Sequence, residues 1–334
     1  MPKLTSLNVI MPVYNEGDFV TSAVEKVATA ARTAGIIAQI IIVDDGSTGH
    51  SSQVLEELEK RSDVTLIHQE NQGRFIARQQ GIAQATADYV LLLDGRVEVD
   101  EQSFVAIQEG IAKGKNVWNF AVELANPDSP WAAFWFGITN VWWRDYFMNP
   151  RDVVIDADNF DKYPKGTGAF FAPRKALIEA MSAFNTMFDD ISLASDDTGM
   201  LRKLAQEQGI HLSPSVKCRY WGKDTPKKFI KQCYFRGTTF VDGYLGSSNK
   251  ALPALGILSA TGATGMTLAV KKPLLTAALG IAGTAGAGAI AKKCGSTIKE
   301  ARAVSMLSIP FGVCFGAGVI RGLIMATRSK RDSL

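Results

Sequence analysis

Residues 90–100, VLLLDGRVEVD, read as a buried strand that runs into a loop beginning at Asp94. An unbroken apolar run of this kind fits a strand covered on both faces rather than one with a solvated side. The loop after such a strand lies at the carboxyl edge of the sheet, where open α/β sheets bind their ligands. Two positions beyond Asp94, where a second carboxylate would complete a metal-binding pair, stands Arg96.

Working outward from this stretch, short Ile/Val/Leu-rich runs alternate with helical patterns. LNVIMPVYN precedes a helix from about Asp18 to Ala34, and AQIIIVDDGS precedes a helix near 50–61. DVTLIHQE precedes a helix from about Arg74 to Ala85, and YVLLLDGR precedes one near 101–113. Strands separated by helices predict an α/β domain built on a parallel sheet. The polar residues at the strand ends are Tyr14, Asn15 and Glu16; Asp44, Asp45, Gly46 and Ser47; Asn71 and Gly73; and Asp94. They fall on one edge. No GxGxxG follows the first strand and no GxxxxGKS/T loop is present, which argues against a nicotinamide-binding domain and a P-loop phosphotransferase.

Composition bounds the rest. Across 334 residues, 36 Lys and Arg stand against 33 Asp and Glu, a balance that does not suggest a nucleic-acid partner. Cys218, Cys233, Cys294 and Cys314 form no CxxC pair. No signal peptide is visible at the start, so a catalytic domain is expected in the reducing cytosol. Near residue 251 the character changes. Three apolar segments follow, 252–270, 274–291 and 303–326, each close to the ~20 residues that cross a bilayer core. The charges are confined mainly to the gaps between them. Gly312/Gly316 and Gly318/Gly322 have the GxxxG spacing of close helix packing, and Arg321 should face a helix partner or reach the membrane surface.

Taken together, MPVYNEGDFV, IIIVDDGSTGHS, NQGRFIARQQGI and VLLLDGR resemble the nucleotide-sugar-binding half of family 2 glycosyltransferases with the GT-A fold, a Rossmann-like, mostly parallel sheet with flanking helices. The resemblance covers about residues 7–240. It implies an inverting transfer from a nucleotide-sugar donor (a UDP- or GDP-sugar) and a divalent cation, Mg²⁺ or Mn²⁺. By that pattern Pro12, Tyr14 and Glu16 line the nucleotide pocket, Asp45 with Asp44 beside it meets the base, and Arg78 lies near the base or diphosphate. Asp94 would contact the ribose and the metal, with Arg96 within reach of a phosphate oxygen. Alternatives stay open: Asp44–Ser47 as a helix cap and tight turn, Arg78 as an exposed helix residue, and Arg96 in solvent or paired with Glu98 or Asp100.

Further along, GTGAFFAPRKALIEA (166–180) looks like the family's acceptor-side turn followed by a helix. Asp196 and Asp197 then open a helix in the place of the family's acidic pair, whose second member is the catalytic base; plain N-capping by Ser195 or Asp196 is the alternative. KKFIKQCYFRGTTF (227–240) resembles the segment that closes over the diphosphate, with Gln232 and Arg236 at matching positions. Asp156 and Asp158 have true DxD spacing but come some sixty residues after the fourth strand, as expected of a surface turn or acceptor loop.

From Lys217 to Arg236 seven basic residues stand against one acidic, a cluster suited to anionic lipid headgroups, so Arg236 has a lipid-surface contact as its other reading. The aromatic run at 131–147 suits either an interfacial helix or a packed core. The resulting expectation is a GT-A domain over 1–240 followed by a helical membrane region over 251–327, similar to succinoglycan-type bacterial exopolysaccharide glycosyltransferases. The enzyme would sit on the cytoplasmic membrane, its catalytic domain on the cytoplasmic face, using a lipid-linked polyprenyl acceptor. Rival readings are a polyprenyl-phosphate sugar synthase, an inactive GT-A membrane scaffold and a small transporter.

Overall fold

The computed structural model describes residues 4–182, 184–194, 197–245 and 271–332. The described chain divides into two compact units. The first comprises residues 1–125, 149–185 and 196–221; the second comprises 126–148, 186–195 and 222–334. The division does not follow the change in composition near residue 251.

The first unit is built on one sheet, with nine strands among the described residues, in the order β3-β2-β1-β4-β8-β6-β9-β5, and β7 paired to β9. β1 (Ser6–Val13), β2 (Ile37–Asp44), β3 (Val64–His68) and β4 (Tyr89–Leu93) are parallel neighbours. Between them run α1 (Gly17–Ala34), α2 (His50–Glu59) and α3 (Arg74–Gln84), within two residues of the sequence expectation. Short β5 (Val97–Val99) then leads into α4 (Ser103–Ile111).

The other half of the sheet mixes parallel and antiparallel neighbours, beside the parallel half that the strand pattern predicted. β8 (Ala169–Pro173) runs antiparallel to β4, and β6 (Trp118–Leu124) antiparallel to β8. β9 (Ile210–Tyr220) is parallel to β6 but antiparallel to β5 and to β7 (Val153–Ile155). The stretch AFFAP, expected as part of a turn, is therefore a central strand.

The apolar runs of the parallel strands are continuous because both of their faces are buried. Val9, Met11 and Val13 join the cluster that includes Val24 and Val27 of α1 and Phe104 and Ile107 of α4. Ile10 points the other way, against Gly81 of α3. A Cβ at Gly81 would overlap the Ile10 Cγ2, so α3 sits on the sheet at a distance only glycine allows. Pro12, in the same strand, stands beyond Ile10↔Leu92, the last β1–β4 pair, where its missing N–H interrupts no pairing with β4.

The second unit is helical. It contains α5 (Pro130–Trp142), α6 (Arg144–Phe147), α9 (Pro226–Phe240), α10 (Pro273–Lys293) and α11 (Ile298–Asp332). The helices α7 (Arg174–Met181) and α8 (Thr198–Glu207) belong to the first unit. Phe134 of α5 is fully buried and meets Phe229 of α9 edge-on and Phe311 of α11, so the aromatic run supplies core, while Trp142 remains 66 % exposed. Of the two GxxxG pairs, Gly318 and Gly322 serve close packing: a Cβ on Gly318 would overlap the Tyr234 carbonyl oxygen of α9. Among the described residues nothing lies within 4 Å of a Cβ built on Gly312 or Gly316. Arg321 lies 5.4 Å from the centre of the Tyr234 ring, a cation–π contact with the partner helix.

Among the described residues two helices are long and apolar enough to cross a membrane, over Leu274–Lys293 and Ile298–Arg328. They contain the expected segments 274–291 and 303–326; the segment 252–270 lies outside the described residues.

Replacing Gly81 by alanine should destabilise the sheet unit by ~1–3 kcal/mol, the usual cost of overpacking a filled core. Thermal melting of the purified full chain, followed by circular dichroism, checks this. A melting temperature equal to wild type would show that α3 can lift off Ile10 without cost.

Candidate active site

The ends of β1 and β2 are tied into one scaffold by their own side chains. Asn15 adopts a left-handed conformation (φ 54°), unusual for a residue with a Cβ; its N–H donates to Ser47 Oγ and its Oδ1 accepts from the Thr48 N–H, each at 3.0 Å. Asp44 is buried and accepts from the Ser47 N–H at 2.8 Å, with His68 Nδ1 3.1 Å from its other oxygen. This is the tight turn of the alternative reading, and Gly46 (φ 83°) gives it a conformation that L side chains rarely adopt. It is not a helix cap, since α2 begins after Gly49 without a side-chain cap.

Asp45 uses both oxygens on the loop before α3. It accepts from Gln69 Nε2 at 2.7 Å and from the N–H groups of Gln72 and Gly73 at 2.8 and 3.0 Å. Asp45 therefore shapes the loop that presents α3, a task separate from any contact with a base. Tyr14 is 48 % exposed at the same edge, and Pro12 is buried.

The second cluster forms around Asp94. Arg78, on the second turn of α3, is buried, which sets aside its reading as an exposed helix residue. Its Nη2 donates to Asp94 Oδ1 at 2.9 Å and to the Thr167 carbonyl at 3.3 Å. Antiparallel pairing of β8 with β4 brings Thr167 there, and the Asp94 N–H donates to the Gly168 carbonyl at 2.8 Å. Thr167 Oγ1 lies 3.5 Å from Asp197 Oδ2, at the long limit of a hydrogen bond. Asp197 is the residue before α8 and makes no side-chain cap to it. Arg78, Asp94, Thr167 and Asp197 thus come together from α3, β4, the approach to β8 and the start of α8. Asp196 and Ser195 lie outside the described residues.

Arg96 faces neither solvent nor Glu98 or Asp100. Its Nε donates to Glu16 Oε1 at 2.6 Å, and its Nη1 lies 3.4 Å from the Trp221 carbonyl. Its guanidinium carbon sits 4.0 Å from the centre of the Phe19 ring. Arg96 is 5 % exposed. Two residues expected at the donor, Glu16 and Arg96, therefore hold each other and pin the β1–α1 turn to the loop after β4.

The divalent cation implied by the resemblance does not fit this donor set. Asp94 faces Arg78 with one oxygen and Arg74, 3.8 Å away, with the other. The position of a second carboxylate is taken by Arg96, itself engaged with Glu16. Asp156 and Asp158 form an exposed turn in which Asp156 accepts from the N–H groups of Asp158 and Asn159, the surface turn of the sequence reading. Among the described residues no group of three or more His, Cys, Asp and Glu side chains is placed to hold a metal.

Three residues that sequence reasoning passed over belong to the site: Arg74, Thr167 and Lys165. Lys165 Nζ donates to the carbonyls of Phe160 and of Tyr163, the latter at 3.2 Å, and packs over the Phe160 ring. Burial pushes its pKa down to about 8, with Arg202 adding to the effect and Asp161 and Asp197 opposing it. The adjoining GTG was the only sequence signal that this loop carried chemistry. Gln232 and Arg236 lie one turn apart on α9 in the helical unit, and Arg236 is exposed.

With this geometry in view, comparison with known proteins is informative. The family model described as glycosyl transferase family 2 matches residues 8–168. The matched range takes in β1 to β4, Asp94, Arg96 and Thr167.

An uncharacterized glycosyltransferase, YibD, of Escherichia coli K12 is 39 % identical over 100 residues, 30 % of this chain and 28 % of that protein. An undecaprenyl-phosphate 4-deoxy-4-formamido-L-arabinose transferase of Pectobacterium carotovorum is 31 % identical over 118 residues, 34 % of this chain and 36 % of that protein. The chain thus spans about a third of the length of these relatives. Among solved structures, S. aureus TarS 1–349 in complex with UDP-GlcNAc aligns with a TM-score of 0.48 at 14 % identity, covering 71 % of this chain and 67 % of that one. The sheet is mixed and is followed in the sequence by C-terminal helices.

Two measurements test the internal bonds of the sheet unit. Arg96→Met should cost about 3–5 kcal/mol of stability, because it leaves the Glu16 carboxylate without its buried cation. The double variant Glu16→Gln/Arg96→Met should recover much of that loss, giving a strong coupling in a double-mutant cycle. Additive effects would show that the pair does not work as a unit.

Lys165 gives a pH signature. Its folded pKa lies below the unfolded value, so the unfolded chain binds more protons between about pH 8 and the ordinary lysine range near 10.5. Its contribution to stability should therefore rise with pH across that window. Comparing melting temperatures of wild type and Lys165→Met from pH 7 to about 10 checks the sign: the difference between them must change across the window.

Proposed function

We propose that this protein is a membrane-bound, inverting glycosyltransferase that moves a sugar from a nucleotide donor to a lipid-linked acceptor in envelope or exopolysaccharide assembly. The observation that carries the reading is the Arg78–Asp94–Thr167–Asp197 cluster at the carboxyl edge of the sheet. It joins a donor-side carboxylate and cation to a second carboxylate suited to proton transfer.

In this reading the nucleoside lies over the ends of β1 and β2, against Tyr14 and the loop shaped by Asp45. The acceptor hydroxyl oxygen attacks the anomeric carbon as the bond to the diphosphate oxygen breaks. Asp197 takes the hydroxyl proton, and the nucleoside diphosphate leaves with the electron pair. Preorganised guanidinium groups stabilise the charge that develops on that leaving group. The basic residues from Lys217 to Arg236 are proposed to meet anionic lipid on the cytoplasmic side. The two long apolar helices and the lipid named in the Pectobacterium relative's description support a membrane-borne acceptor.

That relative also favours a second reading, in which the acceptor is a polyprenyl phosphate itself. A phosphate oxygen attacks without a proton to lose, so it needs no general base. The two readings separate on one variant. Purified full-length protein is incubated with a panel of UDP- and GDP-sugars and lipid acceptors, and nucleoside diphosphate release is measured. Asp197→Asn should lower turnover at least ~100-fold while leaving donor affinity nearly intact, as expected for loss of a base. Full activity of that variant on a polyprenyl phosphate would favour the second reading, and absence of release with any donor would reject both.

A further inference from the structure

We propose that α11 lies in the plane of the membrane instead of crossing it, with its open apolar stripe inserted in an anionic leaflet. Both of its ends then stay on the side that holds the sheet unit. The inference rests on the membrane-bound reading above and deepens it. Length and composition alone would let α11 cross a bilayer. Its contacts within the helical unit hold it otherwise. At its start, Asn140 of α5 donates to Ser296 Oγ at 3.2 Å and to Glu300 Oε2 at 3.1 Å, and all three residues are buried. A Cβ on Gly295, in the turn before α11, would lie 3.4 Å from Met148 Cγ. Ala326 comes about 39 Å further along the helix than Glu300, at 1.5 Å per residue. There Val319 and Ala326 pack with Phe188 and Val241 in one buried cluster. Thr186 Oγ1 and the Met187 N–H donate to buried Asp242 at 2.9 and 2.6 Å, which fixes this segment to the chain just after α9.

The segments that hold the two ends are short excursions of the chain from the sheet unit. Residues 126–148 leave that unit after Ala125 and return to it at Asn149, and residues 186–195 leave it after Asn185. Met148 is therefore one residue from the sheet unit and Phe188 is three. Three residues reach roughly 11 Å at full extension. The hydrocarbon core is ~30 Å thick, so neither end of α11 can stand across it from the sheet unit. Charged, ion-paired helix surfaces keep that unit in water. What meets the lipid is the side of α11 that α5 and α9 leave open. Met306, Ile309, Val313, Ile320 and Ile324 are exposed and recur at helical spacing along one stripe. The opposite side is closed where Gly318 and Gly322 pack on α9. The helix α10 runs beside the first half of α11: a Cβ on Gly280 would lie 3.8 Å from Ile309 Cδ1, and one on Gly288 would overlap Ser305 Oγ. Exposed Lys293 and Arg302 flank the stripe at one end and exposed Arg328 at the other, the charge that anionic headgroups attract. An apolar stripe bounded by cations suits a helix that lies in the interface.

The test places the full-length protein in vesicles of phosphatidylethanolamine and phosphatidylglycerol, spin-labelled in turn at Met306→Cys, Val313→Cys and Ile320→Cys. Depth is read from collisions with a lipid-soluble and a water-soluble relaxation agent, as the increment over the unsubstituted chain. All three labels should sit about 5–10 Å below the headgroups, the depth of an interfacial helix. A crossing helix would separate the first and last by about 21 Å. That result overturns the proposal and leaves the membrane-bound reading standing. In sealed vesicles from expressing cells, a membrane-impermeant maleimide should reach Lys293→Cys and Arg328→Cys from the same face as Lys113→Cys on the sheet unit. Labelling of either position only from the other face, or from neither, overturns the proposal too. So does a stripe covered by a second copy of the chain, seen as spin–spin broadening between chains with no access for the lipid-soluble agent. Failure of the protein to bind vesicles of any lipid composition removes the membrane-bound reading itself, and this inference with it.

Discussion

The buried pairing of Arg78 with Asp94 is the bond on which the site depends. It joins the helix after β3 to the end of β4, and through the Thr167 carbonyl it adds the approach to β8. Each of these segments is positioned by separate packing: Gly81 lets α3 lie close on Ile10, and the β4–β8 ladder fixes Gly168 against Asp94. An uncompensated guanidinium at 2 % exposure would be costly, so the fold and the arrangement of charges at the strand ends support each other.

Around that bond the charged residues separate into those that build and those that remain exposed. Asp44, Asp45, Glu16 and Arg96 are spent on turns, loop N–H groups and one another. At the same edge Tyr14 is 48 % exposed, and the Arg74 side chain is 49 % exposed beside Asp94. Two positions after Asp94 this chain has an arginine, which braces the β1–α1 turn through Glu16.

The parallel half of the fold was legible because its strands are buried on both faces and end in polar residues, a pattern that depends only on local sequence. VLLLD at 90–94 announces both the strand and the edge. The antiparallel half was not legible: AFFAP at 169–173 becomes a strand because β4 and β6 offer it two neighbours. The same limit applies to charge. Arg96 and Glu16 are 80 residues apart, and nothing near either one names the other. Arg74 looks like an ordinary solvated residue at a helix start, and Lys165 like a loop lysine, until the fold brings Asp94 to the first and buries the second.

The sheet order has a consequence for the timing of biosynthesis. β3, β2, β1 and β4 come from the first 93 residues and can pair as they leave the ribosome. β5 must wait for a partner at residues 218–220, and Asp94 for Gly168. Long-range pairings of this kind form late, since distant segments must be brought together before contact rewards the lost chain freedom. A nascent chain halted before β9 would therefore expose an unpaired strand edge. Only some fifty residues separate the end of β9 from the apolar helix that begins at Pro273. Closure of the sheet and synthesis of that helix thus fall in one short interval, and chaperone access across that interval would set the yield of folded protein.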